Sequence, residues 1–420
     1  MRQRSFRQLW VGETTSSFGN VITSLALPLV AVRALHAGAF TVGALYACTW
    51  APWLVIGLPA GAWVDRLECR RLMLASDATS ALALVSVPLA AWSGVLSLAQ
   101  LFAAAAVAGT SSVFFSTAYG VYLRCLVPTD ELVEANAKLQ GSRSVARVAG
   151  PGAAGLLAQA LGAASGLAAD ALTFAVSATC LLSIRPREPR PRPGRARPHL
   201  WADIAAGLRL VAEDPYFRAL MAEGALGNLA LAGWQSLEVV FLVRTVGVSS
   251  LAVGILLAVM GVGGACGAFA ARPLSRGLGS GRALLACSIG TAPFGLLVPL
   301  AGPGPRLLLF GFGGAVVSAG LVASNVIVRS FRQSYCPPPL LGRLTATMSF
   351  LAYGAIPLGS LAAGALGSLL GARSALWAMV STFAVSSLAL LVGPVCRYRD
   401  LPVSPAQGCA YHRANGRTGS

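Results

Sequence analysis

Charged side chains are scarce in this chain of 420 residues: they make up 11% of it, against roughly a quarter in soluble domains. Acidic residues are the rarer kind, with 15 Asp and Glu against 32 Lys and Arg, and Lys138 is the only lysine. Hydrophobic residues make up 55% of the chain. This composition excludes a soluble globular domain and is typical of a membrane protein.

Motifs of enzyme and metal sites are missing as well. The nine cysteines form no Cys-x-x-Cys pair, and His36, His199 and His412, the only histidines, are far apart. There is no Gly-x-x-x-x-Gly-Lys-Ser/Thr phosphate loop. We therefore expect no metal, no cofactor, no fused ATPase and no enzyme, and we assign the cysteines to helix packing.

Long apolar segments take up most of the chain. A helix needs ~20 mostly apolar residues to cross a bilayer, and lipid cannot satisfy the backbone hydrogen bonds of other structures. Twelve segments qualify, numbered here as spans 1 to 12: 9–33, 39–63, 72–92, 96–122, 142–162, 164–184, 217–243, 250–271, 283–302, 306–328, 344–369 and 374–396. The prediction is an all-α polytopic membrane protein.

The basic residues indicate how the chain is oriented. If the N-terminus is cytoplasmic, the outer loops contain only Arg33, Arg244, Arg306 and Arg373, which is the positive-inside pattern. The excess charge of +17 therefore predicts topology and not binding to nucleic acid. We expect both termini to be cytoplasmic and the first span to be uncleaved.

A linker rich in proline and arginine, at 185–199, divides six spans from six. Its prolines prevent a helix, and the apolar spacing of Leu200, Ile204, Leu208 and Val211 behind it predicts a short amphipathic helix on the membrane surface. The linker arginines either contact anionic lipid or only set topology. We expect an N-terminal six-helix bundle (1–184), a cytoplasmic linker (185–216), a C-terminal six-helix bundle (217–396) and a cytoplasmic tail (397–420).

Short motifs repeat between the two halves. SFGN (17–20) returns as ALGN (225–228), and TVGALYA (41–47) returns as AVGILLA (252–258). The repeat predicts two pseudo-symmetric bundles, with a substrate site near the membrane midplane between them.

The stretch GAWVDRLECRR resembles the loop 2–3 signature of the major facilitator superfamily, G-x-x-x-D-R/K-x-G-x-R/K-R/K. The matching residues are Gly61, Asp65, Arg66, Arg70 and Arg71, and Glu68 replaces the second glycine. The resemblance implies a conformational latch. Gly61 allows close helix contact, and Asp65 requires a partner that exists in one conformation only. The alternative is a loop that only anchors topology.

GPGAAG (150–155) in span 5 resembles the core of the antiporter signature of that superfamily. The resemblance implies that Gly150, Pro151 and Gly155 form a hinge or a tight contact between the halves, and a static kink at Pro151 is the alternative. Stretches such as FRQLWVGETTSSFGN are similar to bacterial exporters of the macrolide-efflux and enterobactin-exporter type. The resemblance implies the major facilitator fold, a bacterial inner membrane location and a proton gradient as the driving force.

Carboxylates within spans are candidates for function because each costs ~2.5–3.5 kcal/mol at a helix centre. A carboxylate in an apolar site takes up a proton readily, so we assign proton coupling first to Glu238, deep in span 7, and second to Glu13. Spans 3 and 6 lie outside the cavity in the resembling family, so Asp77 and Asp170 are expected to be structural. Glu223 is expected to reach the surface or form a salt bridge.

Four further side chains are candidates for contact with a bulky amphipathic ligand: Asn20, Tyr119, Trp234 and Asn325. Each serves equally well as a polar contact between helices.

These features predict a secondary active transporter that exports a small amphipathic or hydrophobic compound (a drug, an antibiotic or a siderophore-like metabolite) in exchange for protons by alternating access. We expect a monomer surrounded by lipid. One alternative is a nutrient-importing permease of the same fold. Another is a polytopic enzyme acting on lipid-linked substrates, which would place clustered Asp, Glu or His in an outer loop, where this chain has almost none.

Overall fold

The computed structural model describes residues 2–64, 66–128, 131–184, 209, 211–336 and 338–402. Within these ranges the chain forms twelve helical spans and no strand. The first six are Arg2–Arg33, Ala39–Val55 continued by Gly57–Val64, Cys69–Trp92, Leu98–Leu126, Leu132–Leu161 and Ser165–Ser183. The second six are Pro215–Val246, Ser250–Leu278, Ser280–Leu300, Gly304–Tyr335, Pro338–Leu370 and Ala372–Val392. The prediction of an all-α protein with twelve spans is confirmed.

Most spans meet the requirements for crossing a bilayer by length and composition. Ten of the helices described are long and apolar enough, and Ala39–Val55 is a shorter apolar helix. Span 2 is divided at Ile56, one turn after Pro52, since proline removes a helical hydrogen bond. Span 5 is one helix of 30 residues, and its basic and polar residues lower its hydropathy.

Local sequence also determines where span 7 begins and ends. Asp214 caps its start by accepting hydrogen bonds from the backbone N–H groups of Tyr216 (2.8 Å) and Phe217 (3.1 Å), with Pro215 in the first turn. The other oxygen of Asp214 accepts a hydrogen bond of 2.9 Å from Tyr335 of span 10. The span ends in a π-helix, Phe241–Val246, followed by Gly247 in the left-handed region (φ 81°).

The two halves pack by the same scheme. Span 1 contacts spans 5 and 6, span 2 contacts span 4, and span 3 contacts spans 4 and 6. The second half repeats each of these pairs six spans later. Between the halves, span 2 packs against span 11 and span 5 packs against span 8. We call these two equivalent contacts the 2–11 seam and the 5–8 seam.

The repeated glycines lie at close helix crossings in the two seams. A Cβ on Gly43 would meet the Ser360 carbonyl and lie 3.0 Å from Gly364 Cα at the 2–11 seam. A Cβ on Gly254 would lie 2.9 Å from Gly155 Cα at the 5–8 seam. The TVGALYA and AVGILLA motifs therefore supply the same contact twice, and small residues allow this close approach in membranes.

Gly19→Ala is expected to destabilise the contact between spans 1 and 6. The added methyl group would overlap Asp170 Oδ1 and Thr173 Oγ1, and overpacking of this kind costs about 1–3 kcal/mol. Thermal unfolding of the purified protein in detergent would show a lower midpoint. Gly224→Ala is the control, since no atom lies within 4 Å of its Cβ position; equal midpoints for the two variants would contradict the contact.

The segments outside the two bundles are described in part. Most of the linker (185–208 and 210), with the predicted amphipathic helix, and residues 403–420 of the tail lie outside the described residues. The segment after span 12 packs against the start of span 9, because Arg399 O accepts a hydrogen bond of 3.0 Å from Gly281 N and Asp400 Oδ1 one of 2.9 Å from Ser280 N. The start of the predicted tail thus caps a helix. The four domain boundaries remain a prediction.

Candidate functional site

A cavity of about 530 Å³ lies between the two halves. Spans 1, 2, 3, 4 and 6 of the first half and spans 7 and 8 of the second form its wall. Five aromatic residues line it: Tyr46, Trp50, Trp53, Phe115 and Phe174. Three carboxylates also line it: Asp77, Asp170 and Glu238. Among the described residues of this wall there is no Lys, Arg or His, and uncharged polar side chains such as Asn20, Thr23 and Gln235 lie beside the apolar and acidic ones.

Glu238 is the carboxylate that the second half contributes. Its Oε2 atom is buried and has no hydrogen-bond partner among the described residues. One turn earlier on span 7, Gln235 Oε1 accepts a hydrogen bond of 2.7 Å from the hydroxyl of Tyr46 in span 2. Glu238 therefore lies beside a polar bridge between the halves, with one oxygen free to carry a proton.

Glu13 is in a different environment. The guanidinium of Arg143 donates two hydrogen bonds to Glu13 Oε1, from Nη2 at 2.7 Å and from Nε at 3.2 Å. The pair joins spans 1 and 5, and Glu13 does not line the cavity. Because Arg143 offsets its charge, Glu13 forms an ion pair between helices, which weakens its candidacy for proton coupling.

The acidic residues of spans 3 and 6 require a correction, because both line the cavity. Asp170 accepts hydrogen bonds from Thr23 (2.6 Å) and Thr173 (2.8 Å). Asp77 is 1% exposed, and neither of its oxygens has a hydrogen-bond partner in the part of the chain that the structure describes. Analogy with the family placed spans 3 and 6 outside the cavity. Gly19 of span 1 leaves room for Asp170, because a Cβ at that position would overlap Asp170 Oδ1.

Of the four ligand-contact candidates, the structure places only Asn20 at the cavity. Trp234 is fully buried beside Gly295 of span 9, because it lies just outside the helix face that carries Gln235 and Glu238. The guanidinium carbon of Arg143 lies over the ring of Tyr119, 5.7 Å from the ring centre. Asn325 is exposed on span 10 and outside the cavity wall.

The loop 2–3 motif binds within its own half. Arg70 donates hydrogen bonds to the carbonyls of Leu181 (2.9 Å) and Leu182 (2.8 Å) at the end of span 6, where a cation is favoured by the helix dipole. Arg71 pairs with Glu68 at 2.8 Å on the exposed surface, and Arg66 is exposed. No atom lies within 4 Å of a Cβ built on Gly61. Asp65 lies outside the described residues, and the latch remains a prediction.

The GPGAAG motif lies on the 5–8 seam. Gly150 faces Val21 of span 1, whereas the carbonyl of Pro151 and the backbone of Gly155 face Gly254 of span 8. The hinge role remains a prediction.

Sequence reasoning missed the counterpart of this motif in span 11. Gly359 faces the backbone of Leu229 in span 7, which is the counterpart of the contact between Gly150 and span 1. Gly364 faces Phe40 in span 2, which is the counterpart of the contact between Gly155 and span 8. Alignment of GSLAAG (359–364) with GPGAAG (150–155) was the available signal.

The seam contacts lie towards one end of the molecule. Arg33 donates a hydrogen bond of 3.1 Å to the carbonyl of Val248 in the loop between spans 7 and 8. Gly43 and Gly364 meet near the same end, and Trp53 contacts Tyr353 (ring centres 5.1 Å apart) farther along the 2–11 seam. The halves therefore meet at the end of the bundle remote from the N-terminus.

Comparison with known proteins agrees with this architecture. Among relatives, the Multidrug efflux pump Tap of Mycolicibacterium fortuitum is 27% identical over 405 residues, which cover 93% of this chain and 96% of that protein. The pump of the same name from Mycobacterium tuberculosis is 28% identical over 407 residues, covering 91% of this chain and 92% of that protein.

Solved transporters share the fold at low identity. The nucleoside transporter NupG superposes with a TM-score of 0.73 at 11% identity, covering 94% of this chain and 99% of that one. A bacterial homologue of the iron transporter ferroportin in an inward-facing state gives a TM-score of 0.72 at 17% identity, covering 93% of this chain and 98% of that one. The family model described as Major Facilitator Superfamily matches residues 9–359. The chain therefore belongs to the Major Facilitator Superfamily and is a multi-pass membrane transporter.

Proposed function

We propose that this transporter exports a small amphipathic or hydrophobic compound in exchange for protons. The observation that carries the proposal is Glu238: a carboxylate with an unpartnered, buried oxygen on the wall of an aromatic-lined cavity between the two halves. A charge at this depth is costly. The residue is therefore stable when protonated, and its ionised form is favoured only when water or a ligand reaches the cavity.

The two seams support a mechanism of alternating access. The halves touch at the end remote from the N-terminus, and the seams are built from backbone contacts at glycine pairs. Such contacts can open as units when one half rocks against the other, as expected for duplicated six-helix halves. If the positive-inside rule holds, the closed end is extracellular and the cavity opens towards the cytoplasm. The loop 2–3 motif is the proposed latch of the opposite state.

Export is favoured over import by the relatives. Two of them are named multidrug efflux pumps and align over more than nine-tenths of this chain. Aromatic side chains on the cavity wall, among them Trp50, Trp53 and Phe174, suit the apolar body of a drug-like compound. We therefore propose efflux from the cytoplasm of a bacterial cell, with both termini on the cytoplasmic side.

Transport into inverted membrane vesicles tests this function. Energised vesicles containing the protein should accumulate a fluorescent lipophilic dye such as ethidium, and collapse of the pH gradient with nigericin should release it. Vesicles without the protein are the control. Equal accumulation in both, or accumulation that survives nigericin, would contradict proton-coupled export. Uptake of the dye by intact expressing cells would favour an importer.

A further inference from the structure

Asp77 is a buried carboxylate on the cavity wall, and neither of its oxygens has a hydrogen-bond partner among the described residues. It is 1% exposed. The Ser177 hydroxyl of span 6 lies close by, but not in hydrogen-bonding geometry. A carboxylate in a low-dielectric site needs a proton or a cation as its partner.

The charged neighbours of Asp77 do not supply that cation. Glu13 of span 1 and Asp170 of span 6 both add negative potential at its position. Arg143, the basic partner of Glu13, is engaged by that carboxylate at 2.7 Å. Asp170 is satisfied by the hydroxyls of Thr23 and Thr173. Among the described residues, no basic group therefore acts on Asp77.

The surrounding wall suits an organic cation better than a metal ion. Trp50, Trp53, Phe115 and Phe174 line the same cavity as Asp77. The faces of aromatic rings attract organic cations, and a volume of about 530 Å³ lies within the usual range for drug-sized ligands. Inorganic cations prefer several oxygen ligands at once, and the described residues contain no group of three or more His, Cys, Asp or Glu that could hold a metal ion.

We propose that Asp77 binds the positively charged group of an amphipathic organic cation, which makes such cations the preferred cargo. The inference rests on the proposed function, which requires that the protein carries a cargo. It adds that the preferred cargo is positively charged. Asp77 belongs to the first half and Glu238 to the second, so cargo recognition and proton binding are assigned to different carboxylates. The aromatic wall then holds the apolar body of the ligand while Asp77 selects its charge.

Equilibrium binding to the purified protein in detergent tests the assignment. The probes are tetraphenylphosphonium, a lipophilic cation, and triphenylphosphine oxide, a neutral compound of related shape. Asp77→Asn should raise the Kd for the cation by at least ~tenfold, the factor that corresponds to ~1.4 kcal/mol. It should leave the Kd for the neutral compound unchanged. Asp77→Glu, which keeps the charge, should restore most of the affinity for the cation.

Three outcomes would overturn the proposal: equal cation affinity in the wild type and Asp77→Asn, equal affinity of the wild type for both probes, or the same loss for both probes in the variant. An Asn variant that fails to fold would be recognised by size-exclusion chromatography. The charge-retaining Glu variant with the two probes would then decide, since a preference for the neutral compound would refute the site. Binding needs no gradient, so loss of proton coupling in vesicles would refute the proposed function and leave this test intact.

Discussion

Glu238→Gln is expected to abolish concentrative transport while leaving downhill movement of the cargo. An exporter that exchanges one proton for each cargo molecule can hold about a tenfold concentration difference per pH unit. The amide has the shape of the carboxyl group but cannot exchange a proton. The steady-state dye gradient in vesicles with an imposed pH difference should therefore fall from about tenfold per pH unit to about unity. Counterflow, which needs no proton, should persist.

Glu223→Gln is the matched control for this experiment. Glu223 lies in the same span, nearer its start, and does not line the cavity. The same change of side chain there should leave the dye gradient in place. If Glu238→Gln retained the full pH-driven gradient, the proton site would have to be another carboxylate, and Asp77 or Asp170 would be the first to test.

Gly254→Leu is expected to reduce transport by at least ~tenfold without preventing insertion into the membrane. At the 5–8 seam a Cβ on Gly254 would lie 2.9 Å from Gly155 Cα and would also meet the Pro151 carbonyl, so a larger side chain cannot fit while the seam is closed. Overpacking of about 1–3 kcal/mol against one state is enough to shift a conformational equilibrium by ~5- to 150-fold. The variant should remain open at the end remote from the N-terminus.

Hydrogen exchange measures this shift directly. Amides of residues 33–38 and 246–250, at the end where the seams close, should exchange faster in Gly254→Leu than in the wild type. Gly152→Leu is the control, since it lies in the same GPGAAG motif but has no atom within 4 Å of its Cβ position. Equal transport by the two variants would show that the 5–8 seam does not limit the cycle.

The repeats show how far sequence reasoning reached. SFGN and TVGALYA were found because their glycines recur in the same order about half a chain length later, and the structure places Gly19 and Gly43 at close helix crossings. The partners across the seams were not found. Gly364 meets Gly43 from a span more than three hundred residues away in the chain, and a pattern within one helix does not indicate its neighbour.

The carboxylates show where sequence reasoning failed. Glu238 was selected by its depth in span 7, and it lines the cavity. Depth alone could not separate Glu13, which Arg143 neutralises, from Asp77, which has no hydrogen-bond partner among the described residues. Trp234 was wrongly assigned to the cavity for a related reason. A small rotation about the axis of span 7 decides whether its side chain faces the cavity or packs against span 9.

The sequence by itself determined the membrane class, the twelve spans and the duplicated architecture. These depend on properties summed over ~20 residues, namely the cost of exposing a backbone to lipid and the repetition of apolar length. Only the tertiary structure decided which side chains share the cavity and which charges are paired. Those outcomes depend on helix rotation and on close approaches between residues that are distant in the chain, such as Glu13 and Arg143 at 2.7 Å.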